Sequence, residues 1–461
     1  MFNNLLQDKL FYSKLKTLAL PITLQSLMLS LVAAADALML GRLDQDSMAA
    51  VSLATQVQFV QTMILQAIIA GTAILGAQYW GKGDKTAIDR IFGISVRQSL
   101  LVSIVFFGGC FFMPDTLMRL FANDPTLIDI GSKYLKIASW SYLITGLSQC
   151  YLGIMKVSEH ATCSAWISSG AVILNIVLNA LFIFGCGGLE PMGAEGAALA
   201  TVIARMAELG CCIGLSSQKT FIQLKIKTVV TYHRQLVLDF IWATLPIWGS
   251  YLLWGVGFTT YTAIMGHLGK DAAAANAVQA VARDIMCCLC NGVAAAGGII
   301  VGNELGAGNL EKAKTYGDRL SILSIVIGLF SMAVILATIP LVLNTLKLTE
   351  NAQALLVGMF AIMAVYMIGR CINTIVLNGV LYAGGDTLFD TYSLIVTMWL
   401  IAIPCAFAAA FWLKLHVLVV FSCTCLDEVG KLPWVYHHYR KYKWVKNLTR
   451  DFGNQESGDR G

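Results

Sequence analysis

Charged residues are scarce in this sequence, and their scarcity excludes a water-soluble fold. Asp, Glu, Lys and Arg make up 13% of the 461 residues, whereas hydrophobic residues make up 57%. An ordinary soluble domain is roughly half apolar and about a quarter charged. The mean hydropathy of +0.70 indicates a chain that lies mostly in lipid.

Patterns that bind metals or catalyse reactions are also missing. The chain has 6 histidines, none at ligand spacing with its 13 cysteines, and the cysteines fall in or beside apolar runs. We therefore interpret the cysteines as small hydrophobic residues rather than as metal ligands or disulfide partners. Ser–His pairs and metal-spaced carboxylates are absent from the apolar runs, so we expect neither an enzyme nor a bound cofactor.

What the sequence does contain is a series of long apolar runs. A helix that crosses a bilayer needs ~20 mostly apolar residues. About twelve stretches meet this condition: residues 16–40, 49–79, 92–113, 131–155, 163–186, 194–216, 237–265, 273–302, 321–346, 354–381, 388–411 and 415–435. The runs are too long and too continuous for the alternating ~10-residue strands of an outer-membrane barrel. The prediction is an all-α integral membrane protein with twelve transmembrane helices.

Lys and Arg are distributed unevenly between the loops. They cluster in every second loop, at residues such as Lys156, and in the tail from Lys431 to Arg450. The other loops hold little beyond Arg42, Arg119, Lys270, Lys347 and Lys414. By the positive-inside rule, this bias predicts that both termini are cytoplasmic. We expect the protein to lie in the plasma (inner) membrane. The net charge of +5 follows from this topology, and we expect no nucleic-acid partner.

The two halves of the chain are related by an internal repeat. Residues 20–83 align without gaps on residues 245–308, an offset of 225 residues. LPI recurs as LPI, GRL as GHL and GKGD as GAGN, all in one register. Matching Pro, Gly and loop residues in a single register indicates a duplication.

The repeat predicts the arrangement of the halves. Six helices return the chain to the same side, so the halves are parallel repeats about a pseudo-twofold axis along the membrane normal, with a cavity between them. We predict an N-terminal six-helix lobe at 1–216, a basic cytoplasmic linker at 217–235, a C-terminal six-helix lobe at 236–440 and a polar cytoplasmic tail at 441–461.

Ionisable residues inside membrane helices are expensive and are candidates for function. Asp36 lies in the apolar run SLVAAADALMLG of the first helix. Asn175 and Asn179 share one face of the fifth helix at i and i+4, and Thr201 on the sixth helix lies at similar depth. We predict that these four residues form a cation-coupling site, which would bind a proton on Asp36 or Na⁺ through several oxygens.

Other polar residues are candidates for the cavity between the halves. Gln56, Gln61 and Gln66 give the second helix a polar face, for which hydrogen bonding between helices is the alternative. Pro21 and Pro246, near the start of each half, are candidate hinges. In the second half, Tyr261 aligns with Asp36, and the intramembrane charges are Arg283, Asp284 and Arg370. Because Arg283 and Asp284 are adjacent, we expect each to pair with a residue of another helix.

These stretches together resemble the bacterial multidrug and toxic compound extrusion family. The resemblance spans nearly the whole chain, through LALPITLQSL with Asp36 and GRL, GAQYWGKGD, NIVLNALFIFG, MGAEGAALATVIAR, GNELGAGN, LNGVLYAGGDT and LDEVGKLPWVYHHYRKYKWVKNLT. It matches Asp36, Asn175 and Thr201 to the polar positions of the family. An Asp of some members is Asn179 here, and Trp254 and Cys371 replace the second-lobe acids of another branch, so coupling would rest on Asp36 alone.

The resemblance implies an antiporter that exports organic, often cationic, compounds in exchange for H⁺ or Na⁺. We expect a monomer in the lipid bilayer whose substrate cavity includes Gln56, Gln61, Trp254, Tyr261, Asp284 and Arg370. Aromatic side chains there would bind organic cations by stacking. The alternative is a flippase for lipid-linked precursors, which would need a basic cavity for diphosphate, and Arg283 and Arg370 are the residues available for it.

Overall fold

A computed structural model describes residues 8–185, 190–218, 220–231, 233–345 and 349–451, and these residues are almost entirely helical. In the first half, the helices are α1 (Lys9–Leu43), α2 (Gln45–Lys82), α3 (Lys85–Phe112), α4 (Pro114–Arg119), α5 (Pro125–Val157), α6 (Ala161–Phe184) and α7 (Gly193–Ser216). A short helix, α8 (Ile226–Val230), lies in the connection to the second half.

The second half repeats the pattern with different final helices. It contains α9 (Arg234–His267), α10 (Lys270–Gly306), α11 (Leu310–Thr345), α12 (Glu350–Leu381) and α13 (Leu388–Trp412). The predicted last helix at 415–435 is instead three short helices: α14 (Val417–Thr424), α15 (Leu426–Val429) and α16 (Leu432–Tyr439). Pro433, near the start of α16, has no N–H to continue the ladder of α15.

Ten helices of the described residues are long and apolar enough to cross a membrane. With the 33-residue α5 and the series α14 to α16, the described helices are consistent with the twelve predicted crossings. Short connections make successive crossings antiparallel, so both ends of the described chain lie on one face of the bundle, which we call the terminal face. The opposite face is the far face. The prediction of an all-helical membrane protein with two lobes is confirmed.

The lobes meet at a close crossing of α2 and α10 on the terminal face. A Cβ atom on Gly81 would lie 1.9 Å from the carbonyl oxygen of Asn303, and one on Gly306 would lie 1.8 Å from that of Gln78. Gly81 and Gly306 are 225 residues apart, as are Gln78 and Asn303. The contact therefore maps onto itself under the repeat, as it must if a pseudo-twofold axis passes through it.

The first helix of each half begins in the core of the opposite lobe. Phe11 and Leu15 of α1 are buried among second-lobe residues, and Leu236 and Phe240 of α9 are buried among first-lobe residues. The offset of 225 relates Phe11 to Leu236 and Leu15 to Phe240. Each lobe is therefore completed by a helix that starts in its partner.

Each crossing helix contains a proline near the point where it changes lobes. Pro21 lies inside α1 and Pro246 inside α9. In α1, Ile22 still belongs to the second-lobe core, whereas Leu40 belongs to the first-lobe core. A proline removes one helical hydrogen bond and permits bending. The positions suit the predicted hinges.

The start of α1 is fixed to the second lobe by an ion pair. Asp8 caps the helix by accepting from the backbone N–H of Phe11 at 3.1 Å, and it accepts from Arg319 Nη1 at 2.6 Å. The hydrogen bond from Arg319, followed by that from Phe11, lowers the pKa of the Asp8 carboxyl below its usual value.

The segment after α16 crosses the terminal face and contacts both lobes. Trp444 is fully buried, and the Leu448 N–H donates to Gln78 Oε1 of α2 at 2.6 Å. Arg450 donates to both carboxylate oxygens of Asp239 in α9, at 2.7 and 2.8 Å. These bonds reinforce the crossing of α2 and α10.

Replacing Gly81 with leucine is expected to lower the melting temperature of the purified protein in detergent. The new side chain would meet rigid backbone, and overpacking of this kind destabilises by roughly 1–3 kcal/mol. Gly210→Leu is the matched control, because no atom lies within 4 Å of a Cβ there. Equal melting temperatures for Gly81→Leu and Gly210→Leu would contradict the close crossing.

Candidate functional site

Three of the predicted coupling residues lie in contact in the far half of the first lobe. Asn175 Nδ2 donates to Thr201 Oγ1 at 3.2 Å, and Asn179 Nδ2 donates to Asn175 Oδ1 at 3.2 Å. Thr201 in turn donates to the carbonyl of Ala197 at 3.0 Å. The directions of these bonds form a short chain from α6 to α7.

Asp36 lies in α1, which packs along α6 and also contacts α7. Its side chain lies outside the part of the structure that is described. The backbone position is informative when depth is measured from the far-face end of each helix. Asp36 lies about as far from Leu43 at the end of α1 as Asn175 lies from Phe184 in α6 and Thr201 from Gly193 in α7. At 1.5 Å per residue these depths agree within roughly 3 Å. Asp36 therefore stays a prediction at a compatible depth.

The first-lobe cluster consists of neutral oxygen and amide groups. Asn175 and Asn179 are buried, 6% and 0% exposed, so a ligand there would exchange water for protein oxygens. Carbonyl, hydroxyl and carboxylate oxygens suit Na⁺ or another hard cation, and an added carboxylate could instead hold a proton. The residues present fit either ion.

A cavity of about 480 Å³ lies between the lobes. It is lined by α1, α2 and α5 of the first half and by α9, α10, α12, α13 and α15 of the second. Ile74 and Ile299 line it about two turns before the crossing of α2 and α10. The crossing therefore separates the cavity from the terminal face.

A stretch of π-helix in α12 forms part of the cavity wall. It covers Thr374–Leu381 and exposes Asn378 to the cavity. Gly379 lies here against α10, where a Cβ atom would be 3.0 Å from the carbonyl oxygen of Ala294. Such π-helical turns occur frequently at functional sites.

One wall of the cavity carries a buried charge cluster centred on Glu428. The carboxylate is 2% exposed and accepts from Arg370 Nη1 at 2.5 Å and from Asn373 Nδ2 at 2.7 Å. Lys431 Nζ lies 3.2 Å from its second oxygen. Two cations thus share one carboxylate.

The central cavity contains Trp254, Arg370 and Gln66 among the residues that the sequence singles out. Trp254 lies beside Arg370, whose guanidinium carbon is 5.8 Å from the indole ring. Within the cavity, cation–π contact to this ring is therefore already made by the protein.

Gln56 and Gln61 do not line the cavity, in contrast to the expectation from their spacing. Gln61 is buried inside the first lobe, where its Nε2 donates to the carbonyl of Tyr142 at 3.0 Å. Gln56 is exposed and donates to the Ser52 carbonyl of its own helix. Of the two readings for Gln61, the structure favours hydrogen bonding between helices.

Tyr261 lines a second, smaller cavity of about 60 Å³ within the second lobe. Three buried oxygens at this cavity have no hydrogen-bond partner among the described residues: Tyr261 Oη, Gln279 Oε1 and Asp427 Oδ1. Asp427 is 3% exposed. Such oxygens suit a buried water molecule or a small cation.

The prediction that Arg283 and Asp284 pair with other helices was wrong. Arg283 Nε and Nη2 donate to Asp284 Oδ1 at 3.0 and 2.9 Å. The long Arg283 side chain can turn back along the helix, so adjacent positions do not prevent pairing. Asp284 is 59% exposed and lines neither of the two cavities described above. Arg370 pairs with Glu428 rather than with Asp284.

Besides Asp390 of α13, four charged residues at the cavities were not identified as site residues from the sequence. Lys156 and Lys431 were counted among the loop and tail charges, yet both line the central cavity, and Lys431 is 4% exposed. Asp427 and Glu428 were noted only as part of the stretch LDEVGKLPWVYHHYRKYKWVKNLT that resembles the family, and no function was assigned to them. All but Lys156 fall in the predicted run 415–435, so the rule that intramembrane charges indicate function could have found them.

Comparison with known proteins gives a consistent picture. The family model MatE matches residues 21–181 and 246–408. The uncharacterized transporter YisQ of Bacillus subtilis is 24% identical over 448 residues, which cover 95% of this chain and 96% of that protein. The probable multidrug resistance protein NorM of Bradyrhizobium diazoefficiens is 25% identical over 407 residues, 86% of this chain and 85% of that protein.

A solved structure shares the fold. A MOP superfamily transporter from Pyrococcus furiosus superposes with a TM-score of 0.83 at 19% identity, over 93% of this chain and 96% of that one. The two stretches matched by the family model begin 225 residues apart, which is the offset of the repeat.

Glu428→Gln is expected to destabilise the protein, and Asp427→Asn is expected to leave its melting temperature unchanged or raised. The first change leaves two buried cations without their carboxylate, which destabilises by roughly 3 kcal/mol. The second removes a buried carboxylate that has no ion pair in the described chain. Thermal unfolding in detergent compares the two neighbours, and a greater loss for Asp427→Asn would contradict this account.

Proposed function

Because the chain belongs to the MatE family, we propose that it is a secondary transporter that exports small organic compounds in exchange for H⁺ or Na⁺. The coupling ion binds at Asp36 with the Asn175, Asn179 and Thr201 side chains. The single observation that carries this proposal is the hydrogen-bonded contact of Asn175 with Asn179 and Thr201 at the depth of Asp36. The names of relatives such as NorM support multidrug export.

Coupling follows from the path of α1 through both lobes. Its terminal half packs in the second-lobe core through Phe11 and Leu15, and its far half carries Asp36 beside α6. When the Asp36 carboxylate takes up an ion, its interaction with the polar side chains of Asn175 and Thr201 changes. The far half of α1 then repacks. Pro21 provides the point at which the helix bends. Ion uptake in one lobe is thereby transmitted to the contact between lobes.

The cavity is closed on the terminal face by the crossing of α2 and α10 and by the segment that contains Trp444 and Arg450. The distribution of Lys and Arg indicates that this face is cytoplasmic. With this orientation, the cavity is closed toward the cytoplasm. The structure then corresponds to a stage of the transport cycle after the substrate has entered from the cytoplasm. Export then requires these contacts to open and reform in each cycle.

The alternative function, a flippase for lipid-linked precursors, gains one supporting observation. Lys156, Arg370 and Lys431 line the cavity, a larger set of cations than the sequence suggested. Glu428 engages two of them, which leaves less charge for a diphosphate. A reconstituted assay that compares dye efflux with lipid translocation separates the two functions.

Asp36→Asn is expected to abolish gradient-driven dye efflux in everted vesicles while expression and melting temperature stay at wild-type values. An amide of the same size cannot take up a proton and is a weaker ligand for Na⁺. Asp46→Asn is the control, because Asp46 is an exposed carboxylate close by at the far face. Unchanged efflux by Asp36→Asn would sink the coupling proposal.

The coupling ion is identified by imposing a pH gradient alone and then a Na⁺ gradient alone on proteoliposomes. Asn175→Ala removes a neutral oxygen. Na⁺ requires several such oxygen ligands, whereas a proton binds to the carboxylate alone. We therefore expect it to raise the concentration of Na⁺ required by about tenfold if Na⁺ is the ion. If H⁺ is the ion, transport by this variant should change by less than about threefold.

A further inference from the structure

The charges of the central cavity do not suit an organic cation. Among its described lining residues, Lys156, Arg370 and Lys431 are cationic, and Asp390 and Glu428 are anionic. The lining therefore carries one more positive than negative charge. Because a cavity withdrawn from bulk water screens charge weakly, this balance acts on any ligand that enters.

Both carboxylates of the cavity are already engaged by the protein. The two oxygens of Glu428 accept from Arg370 and Asn373, and Lys431 lies beside the second oxygen. Asp390 accepts from the Tyr382 hydroxyl at 2.7 Å. An organic cation would have to displace these donors to reach a counter-ion.

Lys156, in contrast, has no ion pair within the described residues. It lies on the last turn of α5 and is the cation that the first lobe contributes to the cavity. The nearby carboxylate of Glu208 in α7 is paired with Arg205, whose Nη1 donates to it at 2.5 Å. Lys156 is half-buried at the cavity wall, and weak screening there favours an anionic ligand beside an ammonium group that lacks an ion pair.

We propose that the cavity prefers organic anions that carry a carboxylate, with Lys156 as the first-lobe residue that binds this group. The inference rests on the proposed export function and reverses the expectation of cationic substrates. Arg370 and Lys431 add to the positive potential from the second lobe. The amides of Gln66, Asn291 and Asn378, which face the cavity, bind the remaining polar atoms of the ligand.

Two dyes with the same xanthene ring system and opposite charge test the preference. Fluorescein carries a carboxylate and is anionic at pH 7.5, whereas rhodamine 6G is an esterified cation. Fluorescence anisotropy with the purified protein in an uncharged detergent gives both affinities. We expect fluorescein to bind at least about tenfold more tightly, the effect of one charge-assisted hydrogen bond.

Lys156→Met removes the charge and keeps the length of the side chain. It is expected to weaken fluorescein binding about tenfold and to leave rhodamine 6G binding unchanged or stronger. Lys156→Arg should retain the preference. Lys136→Met is the matched control on the same helix, because Lys136 is exposed and does not line the cavity. Melting temperatures establish that the variants are folded.

Any of three results overturns the inference. Fluorescein does not bind, rhodamine 6G binds as tightly as fluorescein, or Lys156→Met weakens the binding of both dyes equally. Vesicle transport distinguishes this failure from failure of the proposed function. Gradient-driven efflux of rhodamine 6G without preference for fluorescein sinks the charge preference and leaves export standing. If neither dye moves against its gradient in any imposed gradient, the export proposal fails.

Discussion

The close crossing of α2 and α10 is the contact on which the rest of the architecture depends. Gly81 and Gly306 let two backbones approach to distances that any side chain would prevent. In lipid there is little hydrophobic drive for helices to associate, so small residues that permit close packing set the geometry of an interface. Because the repeat maps this contact onto itself, one small residue in the ancestral half fixes both sides of the crossing.

The crossing also determines what the space between the lobes can contain. It closes the terminal face, and the lobes diverge beyond it around the central cavity. The free-energy cost of charged groups is lower at the cavity wall, because each has an ion-pair partner or a polar space beside it. Glu428, for example, pairs with Arg370 and Lys431. The first lobe instead gathers neutral oxygens from Asn175 and Thr201 at the depth of Asp36. The duplicated scaffold therefore holds two different chemistries.

Much of the architecture was predictable, since bilayer thickness dictates helix length and apolar runs report it directly. The repeat offset of 225 predicted a parallel pseudo-twofold arrangement, and the self-mapping glycine contact agrees with it. Contact of Asn175 with Thr201 followed from helical spacing and depth. Gln61 and Asp284 were wrongly assigned to the cavity. A polar residue in an apolar helix shows only that its side chain avoids lipid and does not show which neighbour it contacts. The breaks of the last crossing on either side of α15, at Cys425 and at Gly430, were also missed, because the apolar run 415–435 reads as one continuous helix.

The sequence by itself determined the helical membrane architecture, the alternation of its crossings and the duplication, because all of these are local or periodic properties of the chain. Only the tertiary structure decided which charges share a cavity. Lys156 and Lys431 are far apart in sequence and read as loop charges. The packing of α5, and of the turn between α15 and α16, around α2 and α10 nevertheless places both at one cavity. Whether a charge is a topological signal or part of a binding surface depends on the helices beside it. Hydropathy along one chain does not record those neighbours.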